Sequence, residues 1–210
     1  MKIAFFGDSI TEGVGASNLE LRYASQVGKM LGAEVINYGI GGTRLARQLI
    51  QSSSYHAHDI DFNMRTILLD KTADKIFFFG GTNDYGHGVA PLGNVGDYDE
   101  FTFHGAVNKL FSTLIGMYGK DKIVIILPLK RYGMNDIPNA KTGKYLVDYV
   151  EIIKYYVDLY GLKYLDLFND CFDEPTTNEY SEFFADGLHP NDNGHKIIAE
   201  KICEFIKNDK

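Results

Sequence analysis

Five short apolar runs, each followed by a longer polar or mixed segment, are the feature that most constrains the fold of this chain. They span residues 2–7, 33–39, 74–81, 121–128 and 162–168. Each run is nearly continuous in Ile, Val, Phe and Leu, which is typical of parallel strands covered on both faces. The pattern therefore predicts an α/β fold in which a parallel sheet lies between two layers of helices.

Three of the other segments carry the apolar spacing of helices. They are residues 20–31, residues 142–161 and the segment that follows "PNDNGH" near the carboxyl terminus. A chain of 210 residues with 45% hydrophobic residues has the size of one α/β domain. We therefore expect a single domain over residues 1–210.

Charge and the lengths of the apolar runs exclude several classes of protein. The net charge is -7, and no cluster of Lys and Arg suggests a surface for nucleic acid. No apolar stretch approaches the roughly 20 residues that span a bilayer. The apolar run after Lys2 has four residues and is too short for the core of a signal peptide. We expect a cytoplasmic protein without a membrane span. The expectation of a cytoplasmic location does not apply if a leader peptide has been removed from the sequence.

The cysteines and the paired histidines give no sign of a metal site. Cys171 and Cys203 are the two cysteines of the chain, and their spacing fits neither a disulfide scaffold nor a zinc or redox motif, so both are expected to be buried thiols. His56 and His58 are two residues apart and would not converge on one helix face, so we expect them to face solvent. Neither a metal nor a cofactor is predicted.

Polar, glycine-rich segments follow the apolar runs. "GDSITEG" follows the first run, and irregular segments at residues 82–100, 127–143 and 169–192 follow the third, fourth and fifth. Loops beyond the carboxyl ends of parallel strands build the ligand crevice of an open sheet. We therefore expect the functional site among these segments.

Two of these segments hold the groups of nucleophilic catalysis. A serine hydroxyl needs an imidazole to take its proton, and the imidazole needs a carboxylate to fix its tautomer. Ser9 follows the first strand, and Asp186 stands three residues before His189 in "DGLHP". Taken alone, Ser9 could simply cap a helix, and "DGLHP" could be a turn followed by a helix cap.

A glycine-rich phosphate cradle is an alternative interpretation of "GDSITEGVG". The stretch lacks the lysine of the GxxxxGK[ST] loop, and its glycines at positions 7, 13 and 15 do not match GxGxxG. The sequence therefore does not favour nucleotide binding, with or without a flavin.

Two further segments hold hydrogen-bond donors suited to a developing oxyanion. "NYGIGGTR" ends the second run in a glycine cluster, and "GGTND" ends the third with the carboxamide of Asn83. Backbone N–H groups and an Asn side chain stabilise the tetrahedral intermediate of acyl transfer. Each segment alone could also be an ordinary turn.

Together, these four segments resemble the SGNH hydrolases, also called GDSL-type esterases. The resemblance rests on Ser9 in "GDSITEG", Gly42 in "NYGIGGT", Asn83 in "GGTND", and Asp186 with His189 in "DGLHPN". The order and spacing of the motifs fit across nearly the whole chain. The resemblance implies a flavodoxin-like α/β/α sandwich of five parallel strands in the order 2-1-3-4-5, and a hydrolase of esters that uses no metal.

The resemblance also implies a role for each matched residue. Ser9 would be the nucleophile, His189 the general base and then acid, and Asp186 the partner that orients His189. The N–H groups of Ser9 and Gly42 and the side chain of Asn83 would form the oxyanion hole. Within "GIGG" the neighbouring glycine at position 41 remains an alternative donor.

Other polar residues near these motifs are assigned no chemistry. Asp8 is expected to shape the turn, and His87 could line the site but has no assigned role. His195 is expected at the polar surface of the last helix. Arg44 and Arg131 are expected to be exposed, although either would suit an anionic substrate group.

The sequence leaves the substrate open. Aromatic residues that fall in or near the crevice segments could stack on a sugar or pack an acyl chain: Tyr38, Tyr85, Tyr132, Phe183 and Phe184. Without an extended apolar lid, a short acyl group such as acetyl on a carbohydrate is favoured over a long-chain lipid. Lysophospholipase or thioesterase activity, and a non-catalytic module for sugars or lipids, remain alternatives. The oligomeric state is not predicted.

Overall fold

The predicted parallel sheet is present. A computed structural model describes residues 1–49 and 60–209. The strands are β1 (Lys2–Gly7), β2 (Glu34–Gly39), β3 (Lys75–Phe79), β4 (Ile123–Ile126) and β5 (Lys163–Leu165). All pairs are parallel, and the order across the sheet is β2-β1-β3-β4-β5. Both the fold class and the strand order are therefore confirmed.

Helices connect the strands on both sides of the sheet. Within the described residues they are α1 (Ser9–Glu12), α2 (Tyr23–Leu31), α3 (Phe62–Arg65), α4 (Thr82–His87), α5 (Phe103–Tyr118), α6 (Leu146–Tyr160), α7 (Leu167–Asp170) and α8 (Asp192–Asn208), with 3-10 turns at Thr66–Leu68 and Lys120–Lys122. The three helices predicted from apolar spacing are α2, α6 and α8.

Both faces of the sheet are covered, which explains why the strands are apolar throughout. Along β1, Ile3 and Phe5 belong to the core shared with α2 and α8, where Val27 and Ile198 are fully buried. The alternate residue Phe6 belongs to the opposite core, which is shared with α3, α5 and α6. Successive side chains of a strand point to opposite faces, so a central strand of this sheet has no polar face.

Two of the predicted boundaries are wrong because a short helix begins there. Residues 82–100 were expected to form a loop, but α4 occupies Thr82–His87. Gly81 precedes α4 with φ 114°, a left-handed conformation that lets β3 turn at once into the helix. The fifth run was expected to extend to residue 168, but β5 ends at Leu165 because α7 begins at Leu167. Helices of four to six residues are too short to show apolar periodicity.

The two cysteines differ in burial. Cys203 is buried, as expected, whereas Cys171 is partly exposed. Burial raises the pKa of the Cys171 thiol to about 12, so this thiol stays protonated. His56 and His58 lie outside the described residues. Among the described helices, none has the length and apolar character needed to cross a membrane.

Candidate active site

The turn from β1 into α1 presents Ser9 at the carboxyl end of the central strand. Asp8 is the N-cap of α1, and its Oδ1 accepts the N–H of Ile10 at 3.0 Å. Burial raises the pKa of Asp8 to about 6, although the hydrogen bond from Ile10 acts in the opposite direction. The polar residues that interrupt the first apolar run therefore build a buried cap that fixes the position of Ser9.

Asp186 and His189 form a compact turn of their own. Asp186 Oδ1 accepts the backbone N–H groups of Leu188 at 3.0 Å and His189 at 2.7 Å, and its Oδ2 lies 2.7 Å from His189 Nδ1. Partial burial raises the pKa of the Asp186 carboxyl, but its hydrogen bonds with His189 outweigh this and hold the pKa below its usual range. An ionised Asp186 places the ring proton of His189 on Nδ1 and leaves Nε2 as an acceptor.

The structure brings the two ends of the chain together at this point. His189 Nε2 lies 2.9 Å from Ser9 Oγ, across 180 residues of sequence. Ser9, His189 and Asp186 thus form a continuous hydrogen-bonded chain. This arrangement lets His189 accept the Ser9 proton while Asp186 stabilises the resulting positive charge.

The start of α8 holds the His189 turn in place. Asn191 is the N-cap, and its Oδ1 accepts the N–H groups of Asn193 at 3.0 Å and Gly194 at 3.1 Å. Its Nδ2 donates to the carbonyl of Ser181 at 2.8 Å, and the residue is buried. One buried amide therefore fixes both the helix start and the loop before it, two residues beyond His189.

Asn83 and the glycines after β2 border the same space. The Asn83 side chain is buried, and its Nδ2 donates to the carbonyl of Thr43 at 3.0 Å. The N–H of Gly41 donates to Glu12 Oε2 at 2.7 Å. Gly42, at φ 74°, has no acceptor for its N–H among the residues that the structure describes. Of the two glycines that the sequence left open, Gly42 is therefore the one with a donor to offer a ligand.

A cavity of about 410 Å³ joins these groups. Ser9, Gly42, Asn83 and His189 all line it, so four of the five residues singled out from the sequence reach one space. Asp186 lies behind His189. The cavity is also lined by Glu12 and His87, which the sequence analysis gave no role.

Arg65 is a structural residue of the site that the sequence analysis missed. Its Nη1 donates to the carbonyl of Gly7 at 3.0 Å and to Thr43 Oγ1 at 2.8 Å, and its Nη2 donates to the carbonyl of Tyr38. Burial lowers its pKa to about 10, while nearby carboxylates oppose the shift. Arg65 thereby links the end of β1 to the end of β2 and to the loop that carries Gly42. It lies in α3, far in sequence from any motif, so no local pattern marks it.

Three expectations about exposed polar residues are wrong. Arg44 is 4% exposed and contacts His87, and Arg131 is half-buried with its guanidinium 5.5 Å from the ring of Tyr85. His195 is fully buried: its Nδ1 accepts the N–H of Tyr23 and its Nε2 donates to the carbonyl of Val14, both at 3.3 Å. These side chains were expected at the surface because each of them is polar. In the folded protein, residues distant in sequence provide contacts for them, so the side chains are wholly or partly buried.

The aromatic residues expected near the crevice do not border the cavity. Tyr85 and Phe184 are buried core residues, and Tyr132 is 40% exposed. None of the five is among the described residues that line the cavity. The rings that could stack on a substrate are therefore fewer than the sequence suggested.

A parallel sheet of this order, with Ser, His and Asp joined at the carboxyl ends of its strands, is the arrangement of an α/β/α serine hydrolase. Residues 5–197 match the GDSL-like lipase/acylhydrolase family. The chain belongs to that family, a family of carboxylic ester hydrolases, and the resemblance seen in the sequence is confirmed.

Solved structures agree with this assignment. One is 31% identical with a TM-score of 0.81, and the match covers 99% of this chain and 96% of that chain. A protein from Lactobacillus plantarum is 27% identical with a TM-score of 0.79, and the match covers 99% of this chain and 96% of that chain. An acetyl xylan esterase is 25% identical with a TM-score of 0.69, covering 98% of this chain and 100% of its own. Among curated proteins no match is found.

Proposed function

We propose that this protein is a serine esterase that removes short acyl groups, acetyl above all, from uncharged substrates such as acetylated carbohydrates. The observation that carries the proposal is the 2.9 Å contact between Ser9 Oγ and His189 Nε2 in a cavity that Asn83 and Gly42 also line. Nucleophile, base and oxyanion donors therefore surround one position for an ester carbonyl.

The reaction proceeds in two steps. His189 accepts the proton of Ser9 as the hydroxyl attacks the ester carbonyl, and the oxyanion is stabilised by the N–H groups of Ser9 and Gly42 and by Asn83 Nδ2. The ester bond breaks, and the leaving alcohol takes the proton from His189. Water, activated by the same imidazole, then attacks the acyl group on Ser9 and releases the acid.

The lining of the cavity supports a short acyl group. Its apolar side chains are those of Val14, Ile40 and Leu188, and the rest of the described lining is polar or glycine. Each buried methylene of an acyl chain gains about 0.8 kcal/mol only where apolar surface covers it. A long chain would find little such surface here.

The charge of the cavity supports a neutral substrate. Glu12 places a carboxylate in the lining, and none of the described lining residues is Lys or Arg. Substrates with phosphate groups, such as acyl-coenzyme A or lysophospholipids, would meet repulsion without a compensating cation. The lysophospholipase and thioesterase alternatives are thus not favoured. The 25% identity to an acetyl xylan esterase agrees with a carbohydrate acetate.

A chain-length series tests the proposal. The rates of hydrolysis of nitrophenyl acetate, butyrate and octanoate would be measured beside acetate release from acetylated sugars, with Ser9→Ala as the control. We expect kcat/KM to fall from acetate to octanoate and Ser9→Ala to be inactive. Preference for octanoate would overturn the short-chain assignment. Absence of both hydrolysis and labelling by a fluorophosphonate would instead indicate the non-catalytic binding module.

A further inference from the structure

The Asn83 carboxamide is contacted at both of its polar atoms. Nδ2 donates one hydrogen to the carbonyl of Thr43 at 3.0 Å, which leaves its second hydrogen for the cavity. Oδ1 lies 3.2 Å from His87 Nε2. Asn83 and His87 are four residues apart on α4, the spacing at which helical side chains meet.

Arg44 determines which nitrogen of His87 carries the proton. Arg44 Nη1 lies 3.3 Å from His87 Nδ1, and a guanidinium can only donate. Nδ1 must therefore accept, so the proton of the neutral ring is on Nε2 and is donated to Asn83 Oδ1. A chain of donors thus runs from Arg44 through His87 to the carboxamide.

The base of this chain is rigid. Arg44 is 4% exposed, and the two residues that follow it donate their N–H groups to the buried Asp84 carboxylate: Leu45 at 2.8 Å and Ala46 at 2.9 Å. The turn that carries Arg44 is therefore joined to the same helix that carries Asn83 and His87. A shift of the backbone after Arg44 or of the Asn83 side chain would therefore break buried hydrogen bonds.

We propose that His87, oriented by Arg44, is a positioning residue that holds the Asn83 carboxamide with its free N–H toward the oxyanion. The His87 donor makes the reversed amide orientation unfavourable, because a reversed amide would face N–H against N–H at His87 and oxygen against oxygen at Thr43. Donation to Oδ1 also polarises the amide and strengthens its N–H as a donor. The inference rests on the proposed function, in which Asn83 stabilises the oxyanion.

Two substitutions of His87 separate this role from a general structural one. In His87→Gln, the side-chain amide reaches the position of Nε2 and keeps a donor for Asn83. In His87→Asn, the amide reaches only as far as Nδ1 and leaves Asn83 Oδ1 without a donor. With nitrophenyl acetate we expect His87→Asn to lower kcat roughly 10-fold with little change in KM, and His87→Gln to retain most of the activity.

A double-mutant cycle with Asn83→Ala completes the test. Asn83→Ala alone should lower kcat by about two to three orders of magnitude. If His87 acts through Asn83, adding His87→Asn to that variant changes kcat by less than about 2-fold. An equal loss in both backgrounds, or full activity of His87→Asn, overturns the inference. If His87→Asn does not fold by circular dichroism, His87→Leu replaces it in the cycle.

Ser9→Ala distinguishes the failure of this inference from failure of the proposed function. If Ser9→Ala still hydrolyses the ester, the serine mechanism itself is wrong. If Ser9→Ala is inactive and the cycle shows additive effects, only the role of His87 is wrong.

Discussion

At the scale of single residues, Glu12 places a carboxylate in the cavity that Ser9 also lines. Its Oε2 accepts the N–H of Gly41, and a Cβ placed on Gly41 would lie 3.0 Å from that oxygen and 3.5 Å from Ser9 Cβ. The Glu12 carboxylate and the Ser9 side chain therefore both lie beside Gly41. Glu12 stands three residues after Ser9 in α1, so the two side chains lie on related faces of the helix.

Glu12→Gln is expected to weaken discrimination against anionic esters. Glutamine keeps the acceptor for Gly41 and removes the charge, which at this range contributes about 1 kcal/mol, or roughly 5-fold, in a solvent-exposed site. The measurement is the ratio of kcat/KM for nitrophenyl hemisuccinate to that for nitrophenyl acetate, which should rise by about that factor. High salt should reduce the difference between wild type and variant. An unchanged ratio at low salt would exclude Glu12 as the source of selectivity.

At the scale of elements, His195 anchors α8 to the segment from Val14 to Tyr23, which leads from α1 into the start of α2. Both ring nitrogens of His195 bond to backbone groups of that segment, and the side chain is fully buried. Burial is the main cause that lowers its pKa from 6.5 to about 4. Because Nδ1 accepts a hydrogen bond, a protonated ring could not keep this arrangement.

The low pKa of His195 predicts a loss of stability on acidification. The unfolded chain binds the proton near pH 6.5 and the folded protein only near pH 4, so the free energy of unfolding falls as pH decreases through that window. From pH 7.5 to pH 5, the loss due to His195 is about 2 kcal/mol. His195→Gln should be less stable than wild type at pH 7.5. At pH 5 the difference between the two free energies of unfolding should be smaller by about 2 kcal/mol.

Urea unfolding at the two pH values measures this difference. Asp8 and Asp84 have the opposite effect on how the free energy of unfolding depends on pH. Burial raises their pKa to about 6 and about 7, so the folded state binds their protons more tightly than the unfolded chain does. Both proteins share these carboxyls, so their contribution cancels in the comparison. A difference that stays constant with pH would contradict a neutral, buried His195.

At the scale of the whole molecule, the site exists only when both ends of the chain are packed on the sheet. Ser9 comes from the first strand connection and His189 from the segment before the last helix. Ser17 and Asp192 join the same two regions through two hydrogen bonds of 2.8 Å. Opening either end would separate Ser9 from His189.

Loss of reactivity is therefore expected to coincide with global unfolding. Labelling of Ser9 by a fluorophosphonate and circular dichroism at 222 nm would be followed through a urea titration. We expect the same midpoint for both, because the contact between Ser9 and His189 needs both ends of the chain packed on the sheet. Labelling that disappears at clearly lower urea would show that the two ends open independently of the sheet.

The apolar runs and the four motifs were sufficient to predict the sheet and to select Ser9, Gly42, Asn83, Asp186 and His189. The prediction of the sheet is confirmed, because a buried parallel strand needs consecutive apolar residues. The chemical roles of the five residues stay predictions, which rest on the motifs that carry them. The short helices α3, α4 and α7 escaped prediction, since a helix of one or two turns has too little periodicity to detect.

The sequence by itself determined the class of fold, the order of the strands through the family resemblance, and the residue types that meet at the sheet edge. Only the tertiary structure decided that His195 and Arg44 are buried, that Arg65 joins the ends of β1 and β2, and that His87 contacts Asn83. The polarity of a residue, read from the sequence, indicates only the free-energy cost of burying its side chain without hydrogen-bond or charge partners. Whether distant backbone and side-chain partners offset that cost depends on which segments the fold brings together.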